Sequence, residues 1–375
     1  MTQWRKALIA AALLAAGAMP ALGQAHGSRG SQAPGLRVRA ACDLPGDGGA
    51  YFDVRWNDDR ALVLQPRSGV RAVAVSKKCE ISAALLPGSL ELKEPGRNWT
   101  ALASSGDLVV ASSSSAVIWR EGSPSPGRSF SLESLRGGIG DIDVRGTRLV
   151  VLGMPNETLY RDEANWSTTI WAADFRDGRL GVFEPLWKER EAEQKPGGLV
   201  TLFRNNNNGA GAIRQSSDGE ILVSFGYRSE IARLSPSGEV KSRWTLAELT
   251  GVPEEDPGAY ARLIGDRVSA ADYDRWVGKA AVLVDDVFFL GKAPAAILRL
   301  VGKETGQRAE WALVLLENDP PTKLRIPSAG LDSHARLRAD VASGGEIVIL
   351  ATQRIAHLGD EDGLSARLLL LDVNQ

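Results

Sequence analysis

Histidine is scarce in this sequence, and the motifs of its common catalytic uses are missing. The chain has 3 histidines in 375 residues, His26, His334 and His357. No HxH or HExxH spacing occurs, which excludes the usual histidine-based zinc sites. No GxSxG stretch is present, so the sequence does not predict the serine nucleophile of an α/β-hydrolase. We therefore expect no catalytic residues and no cofactor.

Cysteine is equally rare, with only Cys42 and Cys79 in the chain. Their separation rules out a CxxC redox motif, and no third ligand supports a zinc site. In an oxidising compartment the pair is most simply interpreted as one disulfide. Closing the loop between them is worth roughly 3–4 kcal/mol in the chain-entropy model. The alternative is two free, buried thiols.

The sequence has no large excess of one charge, and its only long apolar run is at the N-terminus. The formal net charge is −2, which gives no basic surface for nucleic acid. Arg5 and Lys6 precede the apolar run Ala7–Ala16, and small residues follow around Gly23, the layout of a cleavable secretory signal over 1–23. An uncleaved anchor is the alternative, although a membrane span needs about 20 apolar residues. We expect a monomeric periplasmic or secreted protein with no membrane span in the mature chain.

What the sequence has in abundance is a repeated pair of features, a tight polar turn followed by a short apolar strand. The apolar strands begin at residues 61, 108, 149, 221, 287 and 347. The shorter spacings match a four-stranded propeller blade of about 40–50 residues, and the longer ones require insertions. The pattern predicts an all-β, six-bladed propeller of four-stranded antiparallel blades. A pair of packed β-sandwiches is the alternative.

The clearest unit runs from Ala212 to Leu246. It reads as four strands separated by the turns Ser217-Asp218-Gly219 and 235–238, whose residues favour turn geometry. The unit SSDGEILVS…EIARLSPSGEV resembles the blades of NHL-like and SMP-30/gluconolactonase-like propellers. The resemblance implies a fold over residues 51–375 more than a function. Residues 24–50 are expected to be an N-terminal segment tied to the first blade.

The same pattern predicts that turns and insertions separate onto opposite faces. Connections between the first and second and between the third and fourth strands of a blade share one face, and these are mostly tight turns. Asp285-Asp286 is taken as one of them. The other face receives the long segments 154–166, 188–210, 247–278 and 316–334, with short helices expected within 247–278. Long loops on a rigid scaffold often carry binding functions, although insertions also accumulate where they are merely tolerated.

Arginine and asparagine residues supply the candidate ligand contacts. Arginine presents a planar fork suited to carboxylate or phosphate, so several at one mouth favour an anionic ligand. The equal alternative is that they pair with Asp141, Asp143 and Asp340 in the central channel. The candidate ligand-binding residues are Arg204, Asn207, Asn208, Arg214, Arg262, His334 and Arg336. The expected function is non-catalytic binding of a small molecule or an envelope protein.

An alternative function follows from the resemblance to lactonase-like propellers, which bind a divalent cation at the channel mouth. Calcium takes six to eight oxygen ligands. The residues that would supply them here are Asn98, Asp141, Asn208 and Asp332. On this hypothesis the chain is a metal-dependent hydrolase. The alternative is a purely structural role, in which these residues cap the inner strands or solvate the channel.

Overall fold

The fold is described from a computed structural model. It describes residues 35–44, 53–57, 60–65, 69–75, 80–87, 101–105, 107–111, 115–120, 129–131, 139–153, 168–176, 179–188, 211–224, 230–252, 282–300, 310–327, 335–342, 344–352 and 366–374. In this part of the chain no helix is long and apolar enough to pass through a bilayer.

The described strands form six antiparallel sheets, numbered here in chain order. The first sheet contains β2 (Asp53–Asn57), β3 (Arg60–Gln65), β4 (Gly69–Ala74) and β5 (Glu80–Pro87), and the second contains β6 (Ala101–Ser105), β7 (Asp107–Ala111), β8 (Ser115–Arg120) and β9 (Ser129–Ser131). The third contains β10 (Ile139–Arg145), β11 (Arg148–Gly153), β12 (Thr168–Arg176), β13 (Arg179–Leu180) and β14 (Glu184–Lys188). The fourth contains β15 (Ala212–Gln215), β16 (Ile221–Ser224), β17 (Glu230–Leu234) and β18 (Val240–Thr245), and the fifth contains β19 (Val282–Leu290), β20 (Ala293–Leu300), β21 (Glu310–Leu315) and β22 (Thr322–Ile326). The sixth contains β23 (Arg336–Val341), β24 (Ile347–Thr352), β25 (Ala366–Asn374) and β1 (Gly35–Leu44).

The first strands of these sheets are neighbours in a closed ring, in the order β2, β6, β10, β15, β19 and β23. This is the arrangement of a β-propeller, and the prediction of an all-β propeller built from four-stranded antiparallel blades is confirmed at this level. Five sheets have the four-stranded form that the sequence predicted for every blade. The third sheet departs from it, because β13 and β14 both pair with β12.

The N-terminal strand β1 lies within residues 24–50, the segment predicted to be tied to the first blade, and its hydrogen-bonded partner is in the sixth sheet. β1 pairs with β25 from Gly35 opposite Asn374 to Leu44 opposite Ala366, and so forms the outer strand of the sixth sheet. The sequence predicted the strands of this sheet entirely from residues 335–373. Instead β25 lies directly beside β24, and the predicted strand at 353–358 lies outside the described residues.

A second correction concerns Asp285-Asp286, which the sequence placed in a tight turn. Both residues lie within β19, and the pairing with β20 shifts register between Val284 and Asp286. The turn comes later, at Gly291 with φ +64°. A buried strand tolerates the two carboxylates because each of them pairs with an arginine of another strand.

The apolar core is divided into layers between neighbouring sheets. One cluster joins Trp311 and Leu313 of the fifth sheet to Leu337 and Ile349 of the sixth. Comparable layers join the third sheet to the fourth and the fourth to the fifth. Each face of a sheet therefore meets an apolar neighbour, and burial at roughly 25 cal/mol per Å² of apolar area stabilises the ring between its blades.

One short helix, α1 (Leu246–Thr250), follows the outer strand of the fourth sheet. The Thr245 hydroxyl accepts from the Glu248 N–H at 3.2 Å, and the Glu248 carboxylate accepts from the Thr245 N–H at 3.0 Å. This capping box ends β18 one residue earlier than predicted. The helices predicted after it lie outside the described residues.

Cys42 is buried in the apolar layer between the first and sixth sheets, with Val73 and Val75. Cys79 lies outside the described residues, so its bond to Cys42 stays a prediction. Val75 is four residues before Cys79 in the chain, and a bond would tie the outer strand of the sixth sheet to the first.

We expect thiol titration of the unfolded, unreduced protein to find no free cysteine. Reduction is expected to lower the free energy of unfolding by roughly 3–4 kcal/mol, because the unfolded chain loses a cross-link. Urea unfolding with and without reductant measures the loss. A Cys42→Ala, Cys79→Ala double variant, which should not respond to reductant, is the control. Finding two free thiols would contradict the prediction.

Candidate functional site

The connections between strands differ between the two faces of the ring. One face, called the tight-turn face, carries the short links at 146–147, 216–220, 235–239 and 291–292. The opposite face, called the long-connection face, receives the segments 154–167, 189–210, 253–281 and 353–365 between described strands. The assignment follows from the antiparallel order, in which successive links alternate between the ends of a sheet. The predicted difference between the faces is present, with a longer link at 121–128 on the tight-turn face as an exception. The predicted long insertion at 316–334 is wrong, because β22 (Thr322–Ile326) lies within it and pairs with β21.

Most of the predicted contact residues fall in segments that the structure does not describe. Outside the described residues lie Arg204, Asn207, Asn208, Arg262 and His334 of the ligand set, with Asn98 and Asp332 of the metal set. Arg336 lies half-buried in β23, opposite Thr352 of β24. Arg214 and Asp141 lie on the inner strands β15 and β10, where the structure brings them together.

Arg214 and Asp141 belong to a group of charged side chains buried at the axis of the ring. We call this group the axial cluster, and its members are Asp53, Arg55, Asp141, Arg214, Asp286 and Arg338. Each has a side chain no more than 5% exposed. Three carboxylates balance three guanidinium groups, which is the condition under which charges are retained in an interior.

Arg214 makes the most contacts in the axial cluster. Its Nη1 donates to Asp141 Oδ2 at 2.6 Å and to the backbone oxygen of Ile213 at 2.7 Å. Its Nη2 donates to Asp286 Oδ2 at 3.1 Å and lies 3.9 Å from Asp53 Oδ1. One guanidinium from the fourth sheet thus joins carboxylates from the first, third and fifth sheets.

Arg338 and Arg55 complete the cluster from the sixth and first sheets. Arg338 Nη1 lies 3.2 Å from Asp286 Oδ1 and 3.4 Å from Asp141 Oδ2. Arg55 Nη1 donates to Asp53 Oδ1 at 2.8 Å, and its Nη2 lies 3.8 Å from Asp141 Oδ1. Asp141 therefore lies within 4 Å of all three guanidinium groups.

The carboxylates also bond the backbone of the neighbouring inner strand. The first strand of each sheet has a partner on one side only, so N–H groups on its inner edge need another acceptor. The same contact occurs at four places: Asp53 Oδ2 accepts from Leu102 N–H at 3.1 Å, Asp141 Oδ2 from Ile213 N–H at 3.1 Å, Asp286 Oδ2 from Ala339 N–H at 2.8 Å, and Asp340 Oδ2 from Trp56 N–H at 2.7 Å. These bonds fasten the first sheet to the second, the third to the fourth, the fifth to the sixth and the sixth to the first at the axis.

A further buried network joins the fifth sheet to the sixth. Asp285 Oδ2 accepts from Trp311 Nε1–H at 2.9 Å and from Leu337 N–H at 3.1 Å. Arg299 Nη2 lies 3.1 Å from Asp285 Oδ1, and Arg299 Nη1 donates to the Ala335 backbone oxygen at 2.9 Å. The two adjacent carboxylates of β19 thus serve different partners, Asp285 here and Asp286 in the axial cluster.

Burial and the neighbouring arginines together shift the pKa values of two buried acids of β10 in opposite directions. Burial by itself raises the pKa of Asp141, but Arg214, Arg338 and Arg55 outweigh it and lower the pKa to about 2. Burial dominates at Asp143, two residues along β10, and raises its pKa to about 6 despite Arg214, Arg55 and Arg145. Asp141 is therefore fully ionised at neutral pH, and its negative charge stabilises the three buried guanidinium groups.

This arrangement closes the axis at the level of the cluster and leaves Asp141 poorly placed to bind a metal ion. Its two oxygens already accept backbone N–H groups and face three guanidinium groups, which repel a cation. In the described part of the chain, no group of three or more His, Cys, Asp or Glu residues is arranged to hold a metal. The alternative interpretation of the candidate arginines, pairing with the acids of the channel, is confirmed for Arg214, which pairs with Asp141.

Sequence reasoning missed Asp53, Arg55 and Asp286 as members of the cluster. A signal for them exists in the inner strands DVRW, GDIDV, AIRQ, DDVFF and LRADV. In these strands the charged residues lie among apolar residues, and the residues typical of turns, which normally flank exposed charges, are largely missing. A charge in such a strand either faces solvent or meets an opposite charge from another sheet, and only the closed ring decides which.

Comparison with known proteins gives the fold without a family. No protein-family model matches the chain, and no curated protein matches it. Among solved structures, a member of the DUF4221 family from Bacteroides vulgatus is similar over 91% of this chain and 99% of that chain, with a TM-score of 0.51 and 9% identity. Streptogramin B lyase is 10% identical over 90% of this chain and 97% of that one (TM-score 0.44), and the WD40 propeller of Doa1 is 10% identical with the same coverages (TM-score 0.45). The class of protein is therefore a β-propeller, here with an axis closed by ion pairs.

Proposed function

We propose that this chain is an exported, non-catalytic β-propeller that binds a small anionic ligand or an envelope protein on its long-connection face. The observation that supports this most is the difference between the two faces. Mostly short turns lie on one face, while the other face receives the longest connections between described strands, and long loops on a rigid scaffold often bind ligands or partners. The five-stranded third sheet serves as one blade of this scaffold, which gives six blades in all.

The closed axis supports binding at a face over chemistry in the channel. Every charged group of the axial cluster is already paired inside the protein, so none is left to act as a free acid, base or nucleophile there. The candidate residues Arg204, Arg262 and His334 belong by sequence to the long segments. Arginines presented by such segments suit carboxylate or phosphate groups.

A thermal-shift screen with small carboxylates and phosphates, together with pull-down from envelope extract, tests this function. We expect at least one probe or partner to bind, and the variants Arg204→Ala and Arg262→Ala to weaken that binding at least tenfold. Lys292→Ala is the matched control, because its side chain is 61% exposed on the tight-turn face and pairs only with Asp218 among described residues. Equal loss with the control would contradict the assignment of the face.

The lactonase-like alternative makes a distinct prediction in the same assay. A metal-dependent hydrolase should gain thermal stability from calcium, and substitution of Asn208 or Asp332 should remove that gain. We expect calcium to leave the melting temperature unchanged. A stoichiometric calcium ion bound at the channel mouth would overturn the non-catalytic proposal.

A further inference from the structure

The contact between the third and fourth sheets contains a buried amide oxygen that has no hydrogen-bond partner among the described residues, beside a buried carboxyl group. Gln215 donates its side-chain Nε2–H to the backbone oxygens of Asp143 at 3.1 Å and Arg148 at 3.3 Å. Its Oε1 is buried and has no hydrogen-bond partner among the described residues. Because the two carbonyl acceptors fix the orientation of the amide, Oε1 needs a donor from elsewhere, and leaving it without one is unfavourable.

Asp143 is the neighbouring group with spare capacity. Its carboxylate is buried and accepts one hydrogen bond among the described residues, from the Gln215 N–H to Oδ2 at 2.6 Å. Its strand neighbour Asp141 accepts two backbone N–H groups and meets three arginines. An ionised carboxylate with a single bond is unfavourable in an interior.

We propose that Asp143 and Gln215 form a proton-dependent lock between the third and fourth sheets. When Asp143 is protonated, its hydroxyl donates to Gln215 Oε1, which gains a partner, and the buried carboxyl group carries no charge. When Asp143 is ionised, Gln215 Oε1 has no donor and the carboxylate is a buried charge with a single hydrogen bond. A metal cation is a less suitable partner for the Asp143 carboxylate than a proton. The charged groups acting on Asp143 are all arginines, which repel a cation: Arg214 of β15, Arg55 of β2 and Arg145 of β10 itself.

The direction of the pH effect follows from the raised pKa of Asp143. The ordinary value is 3.8 and the folded value is about 6. The folded state holds a proton that the unfolded state has released between these values. The contribution of the lock to stability is therefore complete below about pH 3.8, falls as the pH rises to 6, and is absent above it.

The variant Asp143→Asn imitates the protonated lock at every pH. Its amide oxygen accepts the Gln215 N–H, and its amide N–H donates to Gln215 Oε1. Measured by urea unfolding, the ratio of the unfolding constants of wild type and variant should rise about a hundredfold between pH 4 and pH 8, the factor for a shift of about two pKa units. A ratio independent of pH would overturn the proposal.

Infrared spectroscopy of the folded protein gives a second measurement that does not depend on stability. Wild type at pH 5 should show the C=O band of a buried protonated carboxyl group, which Asp143→Asn lacks. In Gln215→Met the acceptor is removed, so the band should shift to the position of an unbonded carboxyl group. A band that is absent from wild type, or one unchanged in Gln215→Met, would show that Asp143 does not donate to Gln215.

Discussion

Replacing Arg214 by methionine is expected to lower the free energy of unfolding by about 3–5 kcal/mol, the usual cost of removing one partner from a buried ion pair. The guanidinium of Arg214 is 2.6 Å from Asp141 and 3.1 Å from Asp286. Its loss leaves three buried carboxylates facing two arginines. Methionine keeps much of the apolar stem, so packing changes little and the missing charge dominates. Urea unfolding at neutral pH measures the effect.

Arg243→Met is the matched control for this experiment. Arg243 lies in the same sheet, its side chain is 37% exposed, and its Nη1 is 3.4 Å from Glu230 Oε2. Exposed pairs of this kind contribute about 0–1 kcal/mol. If Arg214→Met proves no more destabilising than Arg243→Met, the axial cluster does not hold the ring together.

Replacing Gly238 by alanine should be the most damaging conservative change in the fourth sheet, costing about 3–5 kcal/mol through backbone strain and overpacking together. Gly238 has φ +89° in the turn between β17 and β18. A Cβ there would lie 2.8 Å from the carbonyl carbon of Leu186 in the third sheet and still closer to its oxygen. The clash is with backbone, so no rotamer change relieves it. Thermal and urea unfolding of the variant measure the loss.

Gly251→Ala separates the two causes. Gly251 caps α1 with φ +72°, and a Cβ built on it meets nothing within 4 Å. Alanine there should cost only about 1–2 kcal/mol, the price of a left-handed conformation for a residue with a Cβ. Equal losses at both positions would mean that the approach of the third and fourth sheets at Leu186 does not restrict Gly238.

The turn-and-strand repeat was sufficient to predict the fold class because turn residues act locally. The turn at 217–219 and the strand Ile221–Ser224 appear where the sequence placed them. Asp285-Asp286 misled the same reasoning, because aspartate favours a turn only when its carboxylate has no better partner. In β19 those partners are Trp311, Arg299, Arg214 and backbone N–H groups of another sheet, and none of these contacts is local.

The candidate site was predictable only in part, for the same physical reason. Arg214 and Asp141 are 73 residues apart in the chain and 2.6 Å apart at the axis. Their residue types indicated either a ligand or an ion pair, and the choice required the ring. The residues of the long segments, such as Arg204 and Asn208, remain predictions from sequence position.

The pairing of β1 with β25 sets the order in which the molecule can be completed. Gly35 meets Asn374 and Leu44 meets Ala366, so among the described strands the first in the chain pairs with the last. Contacts between such distant parts of a chain form slowly, because a long loop must close before they are gained. Until then both edges of β1 are unpaired, and the sixth sheet lacks its outer strand. In this state a strand of another chain can pair with β1 or with β25. A truncation after residue 365 would remove β25 and leave β1 without its partner in the sixth sheet. The incorporation of β1 (Gly35–Leu44) into the fold therefore depends on β25 (Ala366–Asn374).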